Sequence, residues 1–220
     1  MTPDLKINLQ DATITGIDLS HNNGTINWEK VRTNSTPISF AYIKATQGVG
    51  YKDPANVSHA NGATLIGMKI GYYHFASLNN NLDPSKDAAN EARYFDSVLK
   101  TLPPAKLLPA LDIETNDKKL NTQQVQQWIS SFLLTMNSLG HMNVMLYSYK
   151  PFFDDNLPAN HPFGSHPLWI AQYRNVAAPS LPKGWSKCAV WQYSDKGKVN
   201  GINGDCDMNK AKASFLSLTP

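Results

Sequence analysis

Two acidic residues separated by one isoleucine end an apolar stretch in the middle of the chain. The stretch comprises residues 107–111, and Asp112, Ile113 and Glu114 follow it. A continuous apolar run between turn-forming residues predicts a buried β-strand rather than a helix. Because side chains alternate between the two faces of a strand, Asp112 and Glu114 are predicted to point the same way.

Two neighbouring carboxyl groups at the end of a buried strand can act as an acid and a base. Burial and mutual repulsion both raise the pKa of a carboxyl group, so one of the two is favoured in its protonated form. A protonated carboxyl beside an ionised one is what hydrolysis of a glycosidic bond requires. The plainer interpretation is that the two acids cap the following turn or face water.

Further polar and aromatic residues fall near the ends of the other apolar runs. They are Asp18, Lys44, Tyr73, Tyr147, Trp169, Gln172, Trp191 and Gln192. Acids and amides bond the hydroxyl and N-acetyl groups of sugars, and aromatic faces stack on pyranose rings. These residues therefore predict a saccharide-binding cleft. Each aromatic residue also fits a place in the core, which is the interpretation we prefer for Trp28 and Trp128.

The elements that would position these residues alternate along most of the chain. Strands are predicted at residues 14–21, 38–46, 69–76, 107–114, 143–149, 168–173, 188–193 and 204–209. Helices are predicted at residues 28–31, 56–65, 83–99, 121–140, 151–157 and 210–218. Helix-capping residues Asn27, Asp83 and either Asn121 or Thr122 support three of the helix starts.

Strand–helix alternation implies parallel strands with helices outside, and eight such strands close a barrel of the TIM-like α/β class. The alternation lapses after the fifth unit, since a Pro/Gly-rich loop joins the sixth and seventh strands. An open doubly wound sheet is the alternative, but no Gly-X-Gly-X-X-Gly loop follows the first strand. We expect a single barrel domain over residues 14–218, after an N-terminal extension of residues 1–13.

The composition limits the possible partners. The chain has 220 residues, is 41% hydrophobic and 17% charged, and carries a net charge of +3. A mild, unclustered positive charge predicts no nucleic-acid partner. No stretch approaches the ~20 apolar residues of a membrane span. Residues 1–13 lack the apolar segment of a signal peptide, so the route of any export stays open. We expect a monomer.

Metal and thiol chemistry are not predicted. The six histidines are scattered, and neither His-X-X-X-His nor Cys-X-X-Cys spacing occurs. We therefore expect no metal and no other cofactor. Cys188 and Cys206 stand in no recognisable nucleophile signature. A disulfide between them and two separate thiols both fit the sequence.

Seven segments, in one order along the chain, carry a family resemblance. They are ITGIDLSH at 14–21, YIKATQG at 42–48, GYYHF at 71–75, LDIE at 111–114, LWIAQY at 168–173, VWQY at 190–193 and DCDMN at 205–209. Together they resemble the family 25 glycoside hydrolases, the Chalaropsis-type lysozymes or N-acetylmuramidases. The resemblance implies a (β/α)5(β)3 barrel, in agreement with the lapse in alternation. It also implies hydrolysis of the β-1,4 bond between N-acetylmuramic acid and N-acetylglucosamine in peptidoglycan, outside the cytoplasm.

The same resemblance implies roles for four acids. Glu114 matches the family's general acid, and Asp112 matches the neighbour that assists the substrate or positions its acetamido group. Asp18 and Asp207 match two further acids lining the cleft. The family often has Glu where this chain has Gln47, which removes a charge at the rim. Displacement is then expected from the substrate's own acetamido oxygen or from an activated water.

Three other functions fit parts of the pattern. A family 18 chitinase-like hydrolase also has a strand ending in Asp-X-Glu, but expects Asp where this chain has Leu107 and Ala110. A non-catalytic wall-binding module would bind peptidoglycan without releasing reducing ends, and the four acids argue against it. A metal-dependent polysaccharide deacetylase would release acetate in a manner sensitive to EDTA.

Overall fold

Within residues 13–79 and 81–218, which this computed structural model describes, eight strands close into a barrel and a ninth extends it as a hairpin. The strands are β1 (Thr13–Leu19), β2 (Ile38–Gln47), β3 (Tyr51–Lys52), β4 (Lys69–Phe75), β5 (Ala110–Asp112), β6 (Met145–Tyr149), β7 (Leu168–Ala171), β8 (Val190–Gly197) and β9 (Cys206–Lys212). Pairing of β1 with both β2 and β9 closes the ring. The predicted extension lies outside the described residues except for Thr13, which belongs to β1.

Around the barrel, β1, β2 and β4–β8 pair in parallel, whereas β9 runs antiparallel to both of its neighbours. The hairpin strand β3 also pairs antiparallel, with β2. The alternation pattern predicts parallel strands, so β9 is the exception. Its connection to β8, residues 198–205, is too short for the crossover that a parallel pair needs. As a result β9 begins at the end of the barrel where the other strands finish.

Five helices follow the first five barrel strands, and none separates the last three strands in the described part of the chain. They are α1 (Trp28–Arg32), α2 (Asn56–Leu65), α3 (Pro84–Leu99), α4 (Thr122–Ser138) and α5 (Lys150–Asn156). This order confirms the (β/α)5(β)3 prediction. None of the helices in the described residues is long and apolar enough to cross a bilayer.

The predicted caps are confirmed. Side chains of Asn27, Asp83 and Asn121 accept hydrogen bonds from backbone N–H groups in the first turns of α1, α3 and α4. At Asn121 the side chain of Gln124 returns a bond to the cap's own N–H, which forms a capping box. These bonds satisfy donors that a helix start otherwise leaves free.

Two predicted elements are wrong in extent or type. The strand predicted at residues 107–114 is assigned only at Ala110–Asp112, although the Ile113 N–H still donates to the Tyr147 carbonyl. The closing helix predicted from residue 210 is absent from the described residues. Lys210–Lys212 continue β9, and Ala213–Ser217 form a short 3-10 helix. Pairing with β1 as far as Thr13 extends the strand.

The barrel interior is filled with aromatic rings. Tyr42 and Trp169 lie there with ring centroids 4.7 Å apart, and the Tyr42 hydroxyl donates to the Leu108 carbonyl. Gly16 makes room for this packing, because a Cβ there would lie 2.3 Å from the ring of Phe40. A second apolar layer, between strands and helices, holds the fully buried Trp128. Only the mouth of such a packed barrel is left for chemistry.

The two cysteines lie at opposite ends of the β8–β9 pair. Cys206 is opposite Gly197, while Cys188 precedes Val190, which is opposite Ala211. Both thiols are buried and free. The length of the strand pair separates them by far more than a disulfide can span. Cys188 and Cys206 are therefore two separate thiols in this structure and do not form a disulfide.

Candidate active site

Four carboxyl groups meet at the mouth where the parallel strands end. Asp18 near the end of β1 lies directly opposite Asp207 near the start of β9. Asp112 is the last residue of β5, and Glu114 follows two residues later. The reversed direction of β9 explains how Asp207, at the beginning of its strand, reaches the same end as the others.

Asp112 and Glu114 form one pair. Ala110 and Asp112 face the barrel, while Leu111 and Ile113 pack in the outer layer, as strand alternation predicts. The two carboxyl groups share a hydrogen bond. Burial and the charge of Glu114 raise the pKa of Asp112 well above its usual value. Burial also raises the pKa of the half-buried Glu114.

Asp18 and Asp207 form a second pair that interacts with the first. Burial and the charge of Asp207 raise the pKa of Asp18 well above its usual value. Burial raises the pKa of the half-buried Asp207, and the charge of Asp195 adds a smaller increase. Asp18 also raises the pKa of Asp112, and Asp207 that of Glu114. Four acids so close together cannot all be ionised near neutral pH.

Amides and tyrosines form the floor beneath the acids. Gln192 Nε2 and Asn209 Nδ2 both donate to Asp18 Oδ2, over 2.9 and 2.7 Å. The Tyr147 hydroxyl donates to Gln192 Oε1 over 2.7 Å. Tyr73 is buried, and the charges of Asp18, Asp112 and Asp207 help burial to raise its pKa. The structure therefore brings predicted site residues Tyr73, Tyr147 and Gln192 to the acids.

Lys44 brings a positive charge to this mouth. Its Nζ donates to Gln47 Oε1 over 2.7 Å and lies 4.7 Å from the ring centroid of Phe75. Burial lowers the pKa of Lys44, while the charges of Asp112, Asp53 and Glu114 oppose that change. In turn the ammonium group lowers the pKa of Asp112 and Glu114. Lys44 thus limits how strongly the central pair holds its protons.

Three predicted substrate contacts do not face the open cleft. Trp169 is 2% exposed and belongs to the barrel floor, where its ring centroid lies 4.7 Å from that of Tyr147. Trp191 is 3% exposed and packs in the outer layer, since strand alternation turns it away from Gln192. The Gln172 side chain accepts the Ser180 N–H and holds a loop.

One of the four acids lines an open groove. This groove, of 520 Å³, is lined by Glu114 itself, by the loop that follows it, and by Tyr149 and α5. A second groove, of 710 Å³, is lined by Gln47 and Tyr51 of the β2–β3 hairpin, by the loops after β1 and β4, and by α3, and none of the four acids contributes to its lining.

Several residues of this mouth escape sequence analysis. Asn209 was predictable in principle, because it stands two residues from Asp207 and so shares its face of the strand. Tyr173, the last residue of the predicted strand 168–173, lies past the end of β7 and donates to Gln192 Oε1 over 2.6 Å, a contact that the strand prediction does not indicate. His21, which lines the larger groove, is held at Nδ1 by the fully buried Asp53, 3.0 Å away.

No three His, Cys, Asp or Glu side chains converge as a metal site would require within residues 13–79 and 81–218. The expected absence of a metal and of other cofactors stays a prediction. The chemistry that the mouth can perform without one is proton transfer and charge stabilisation by carboxyl groups.

A closed α/β barrel with paired carboxyl groups at its mouth, one of them lining an open groove, suits the acid–base chemistry of a glycoside hydrolase. The family model for glycosyl hydrolases family 25 matches residues 17–202, and the chain belongs to that family. This confirms the resemblance in the sequence and the class of enzyme.

Individual relatives agree with this assignment. Lysozyme M1 of Streptomyces globisporus is 34% identical over 218 residues, which cover 93% of this chain and 70% of the relative. The N,O-diacetylmuramidase of Chalaropsis sp is 28% identical over 224 residues, covering 92% of this chain and 100% of the relative. The crystal structure of the bacterial lysozyme from Streptomyces coelicolor superposes with a TM-score of 0.81 and 31% identity, covering 94% of this chain and 97% of that one.

Proposed function

We propose that this glycoside hydrolase is a lysozyme, an N-acetylmuramidase. It hydrolyses the β-1,4 bond between N-acetylmuramic acid and N-acetylglucosamine in peptidoglycan, outside the cytoplasm and as a monomer. The observation that carries the proposal is the pairing of Glu114, which lines an open groove, with the buried Asp112 at the mouth of the barrel. Relatives named lysozyme and muramidase support the choice of substrate.

Glu114 acts as the general acid. Of the central pair it is the member that lines an open groove, whereas Asp112 is 5% exposed. A raised pKa leaves Glu114 protonated where an ordinary glutamate would be ionised, so it can protonate the leaving oxygen. Its backbone carbonyl accepts the Tyr149 hydroxyl over 3.1 Å, which fixes the segment beyond β5.

Asp112 assists the same step from below. Its Oδ1 is buried and has no hydrogen-bond partner among the described residues. The N–H of the substrate's acetamido group would supply the missing donor. This hydrogen bond would orient the acetamido group so that its carbonyl oxygen can reach the anomeric carbon. The charge that develops there is stabilised by the Asp18–Asp207 pair. Lys44, Tyr73 and Tyr147 complete the polar surface that the sugar meets.

Mass analysis of the products tests the proposal. Purified peptidoglycan is digested, reduced with borohydride and separated into muropeptides. A muramidase leaves N-acetylmuramic acid at the new reducing ends, so muramitol-terminated muropeptides are expected. N-acetylglucosaminitol ends, digestion of chitin but not of peptidoglycan, acetate release without new ends, or binding without products would each contradict the proposal.

A pH prediction follows from Lys44. Its ammonium group lowers the pKa of Asp112 and Glu114, so Lys44→Met is expected to raise both. Because Glu114 must be protonated to act, activity is lost as the pH rises through its pKa. The alkaline limb of the kcat profile is therefore expected to move to higher pH in Lys44→Met.

Lys52→Met provides the matched control. Lys52 lies on β3, is exposed and donates to the Thr101 hydroxyl, away from the four acids. Its replacement removes the same charge from the protein and is expected to leave the alkaline limb in place. A limb that moves equally in both variants, or to lower pH in Lys44→Met, would contradict the assignment of Lys44.

A further inference from the structure

One carboxylate oxygen of the site receives two hydrogen bonds. Oδ2 of Asp18 accepts from Gln192 Nε2 over 2.9 Å and from Asn209 Nδ2 over 2.7 Å. Two N–H donors occupy both lone pairs that an oxygen offers in the carboxyl plane. Oδ2 therefore cannot also carry a proton. In the Asp18–Asp207 pair, only the other edge of Asp18 is left for a shared proton.

The orientation of the Asn209 amide is fixed by a hydrogen bond from Trp169 on the side away from Asp18. Its Oδ1 accepts from the indole Nε1 of Trp169 over 2.7 Å, and both side chains are buried. An indole N–H is a donor without acceptor capacity, so the amide must present its oxygen to Trp169. The amide nitrogen is thereby forced towards Asp18. A flipped amide would place two donors face to face and leave Asp18 without one of its bonds.

The orientation of Gln192 is fixed in the same way by two tyrosines. Its Oε1 accepts from the hydroxyls of Tyr147 and Tyr173, over 2.7 and 2.6 Å. Its Nε2 is then left for Asp18. The two amides reach Asp18 from different strands, β8 and β9, and each depends on donors that never touch the acid.

We propose that Asn209 and Gln192, held by Trp169 and the two tyrosines, are positioning residues that confine the proton of the Asp18–Asp207 pair to the edge facing Asp207. The inference rests on the proposed function, because it concerns how these acids serve the same reaction. The pair then carries one negative charge and one proton, which is shared between Asp207 and the free edge of Asp18, and the half-buried Asp207 is the member that presents this charge to the developing positive charge.

Removing one donor should shift the ionisation of the pair. A hydrogen bond to a charged acceptor favours the ionised form, so its loss makes the acid limb of the kcat profile move to higher pH. The strength of such bonds corresponds to a shift of about one to two pH units. The pair titrates as a unit, so the limb belongs to both acids.

Other titratable groups that face the pair are the same in every variant used for the test. They are Asp112 of β5, Glu114 beyond it, Tyr73 of β4, Tyr147 of β6, Tyr173 after β7, Asp195 of β8 and Cys206 of β9. A displaced acid limb therefore reports the lost amide donor rather than a changed set of neighbours.

The experiment compares kcat and KM across pH for the full-length wild-type protein, Asn209→Leu and Trp169→Phe on soluble peptidoglycan fragments. Asn209→Leu keeps the side-chain volume and removes the donor to Asp18. Trp169→Phe keeps an aromatic ring in the barrel floor and removes the N–H that orients Asn209 together with part of the ring system. Both are expected to lower kcat with KM unchanged. The acid limb should move up in both variants, further in Asn209→Leu.

Trp185→Phe is the matched control, because Trp185 is a buried indole whose Nε1 donates to the His166 carbonyl outside the barrel. It is expected to lose some thermal stability and to keep the wild-type pH profile. A purely structural role for Asn209 and Trp169 would lower their melting temperatures in the same way and leave the acid limb unmoved. That result in a folded Trp169→Phe would overturn the inference, even if Asn209→Leu did not fold.

Failure of the proposed function gives a different result. In that case the wild-type protein itself releases no muramic-acid-terminated products, and no pH profile on this substrate exists to be shifted. An active wild type with unshifted variants refutes the positioning role alone.

Discussion

Replacing Glu114 with glutamine is expected to lower kcat on purified peptidoglycan by about 10²- to 10⁴-fold, the range that a general acid contributes. Glutamine has nearly the same size and can still hydrogen-bond to Asp112, so the groove and the barrel should stay intact. It has no proton to give to the leaving oxygen at any pH. KM should therefore change little, since the interaction is lost in the transition state.

The leaving group provides a sharper form of this test. A glycoside with an activated aryl leaving group needs little protonation, so Glu114→Gln should lose far less activity on it than on peptidoglycan. Glu29→Gln is the control, because Glu29 is exposed on α1 and pairs with Arg32. Equal losses on both substrates, or near wild-type rates on peptidoglycan, would remove Glu114 from the role of acid.

Asp112→Asn is expected to have the next largest effect, a fall in kcat of about 10²- to 10³-fold, as for loss of a preorganised electrostatic group. The carboxyl is buried, hydrogen-bonds to Glu114 and keeps one oxygen without a partner among the described residues. Asparagine retains the shape but has one acceptor oxygen instead of two, so the contacts to the acetamido N–H and to Glu114 compete for it. Its effect and that of Glu114→Gln should combine less than additively, because the two residues act as a unit.

Asp96→Asn is the control that distinguishes a catalytic role of Asp112 from the general effect of removing a buried acid. Asp96 is 4% exposed, close to the 5% of Asp112, but pairs with Lys100 and His141 at the other end of the barrel. Its replacement is expected to lower the melting temperature and to spare kcat. Comparable kcat losses in Asp96→Asn and Asp112→Asn would make Asp112 a structural acid.

Local signals account for what the sequence predicts well. Asn27, Asp83 and Asn121 each lie within three residues of the N–H groups they cap, so their helix starts are readable from neighbouring residues alone. The two-residue spacing of Asp112 and Glu114 likewise places both on one face without any knowledge of distant strands. The family resemblance adds Asp18 and Asp207, which spacing along the chain cannot bring together.

Long-range pairing accounts for what was missed. The run after Lys210 has helix-like apolar spacing, but pairing with β1 makes its first residues strand. Asn209 and Asp18 are hydrogen-bonded across a sequence separation of 191 residues. Burial of Trp191 depends on which face of β8 points into the barrel, and β8 is defined by its pairing with β7 and β9. Tertiary context overrides local pattern in each case.

Closure of the ring by β9 has a consequence for biosynthesis. Synthesis from the N-terminus makes β1 long before β9, and β9 carries both Asp207 and Asn209. A nascent chain that stops short of this strand has an unsealed sheet and lacks Asp207 and Asn209, so Gln192 is the remaining hydrogen-bond partner of Asp18 among those described above. We therefore expect hydrolytic activity only in chains that extend through β9.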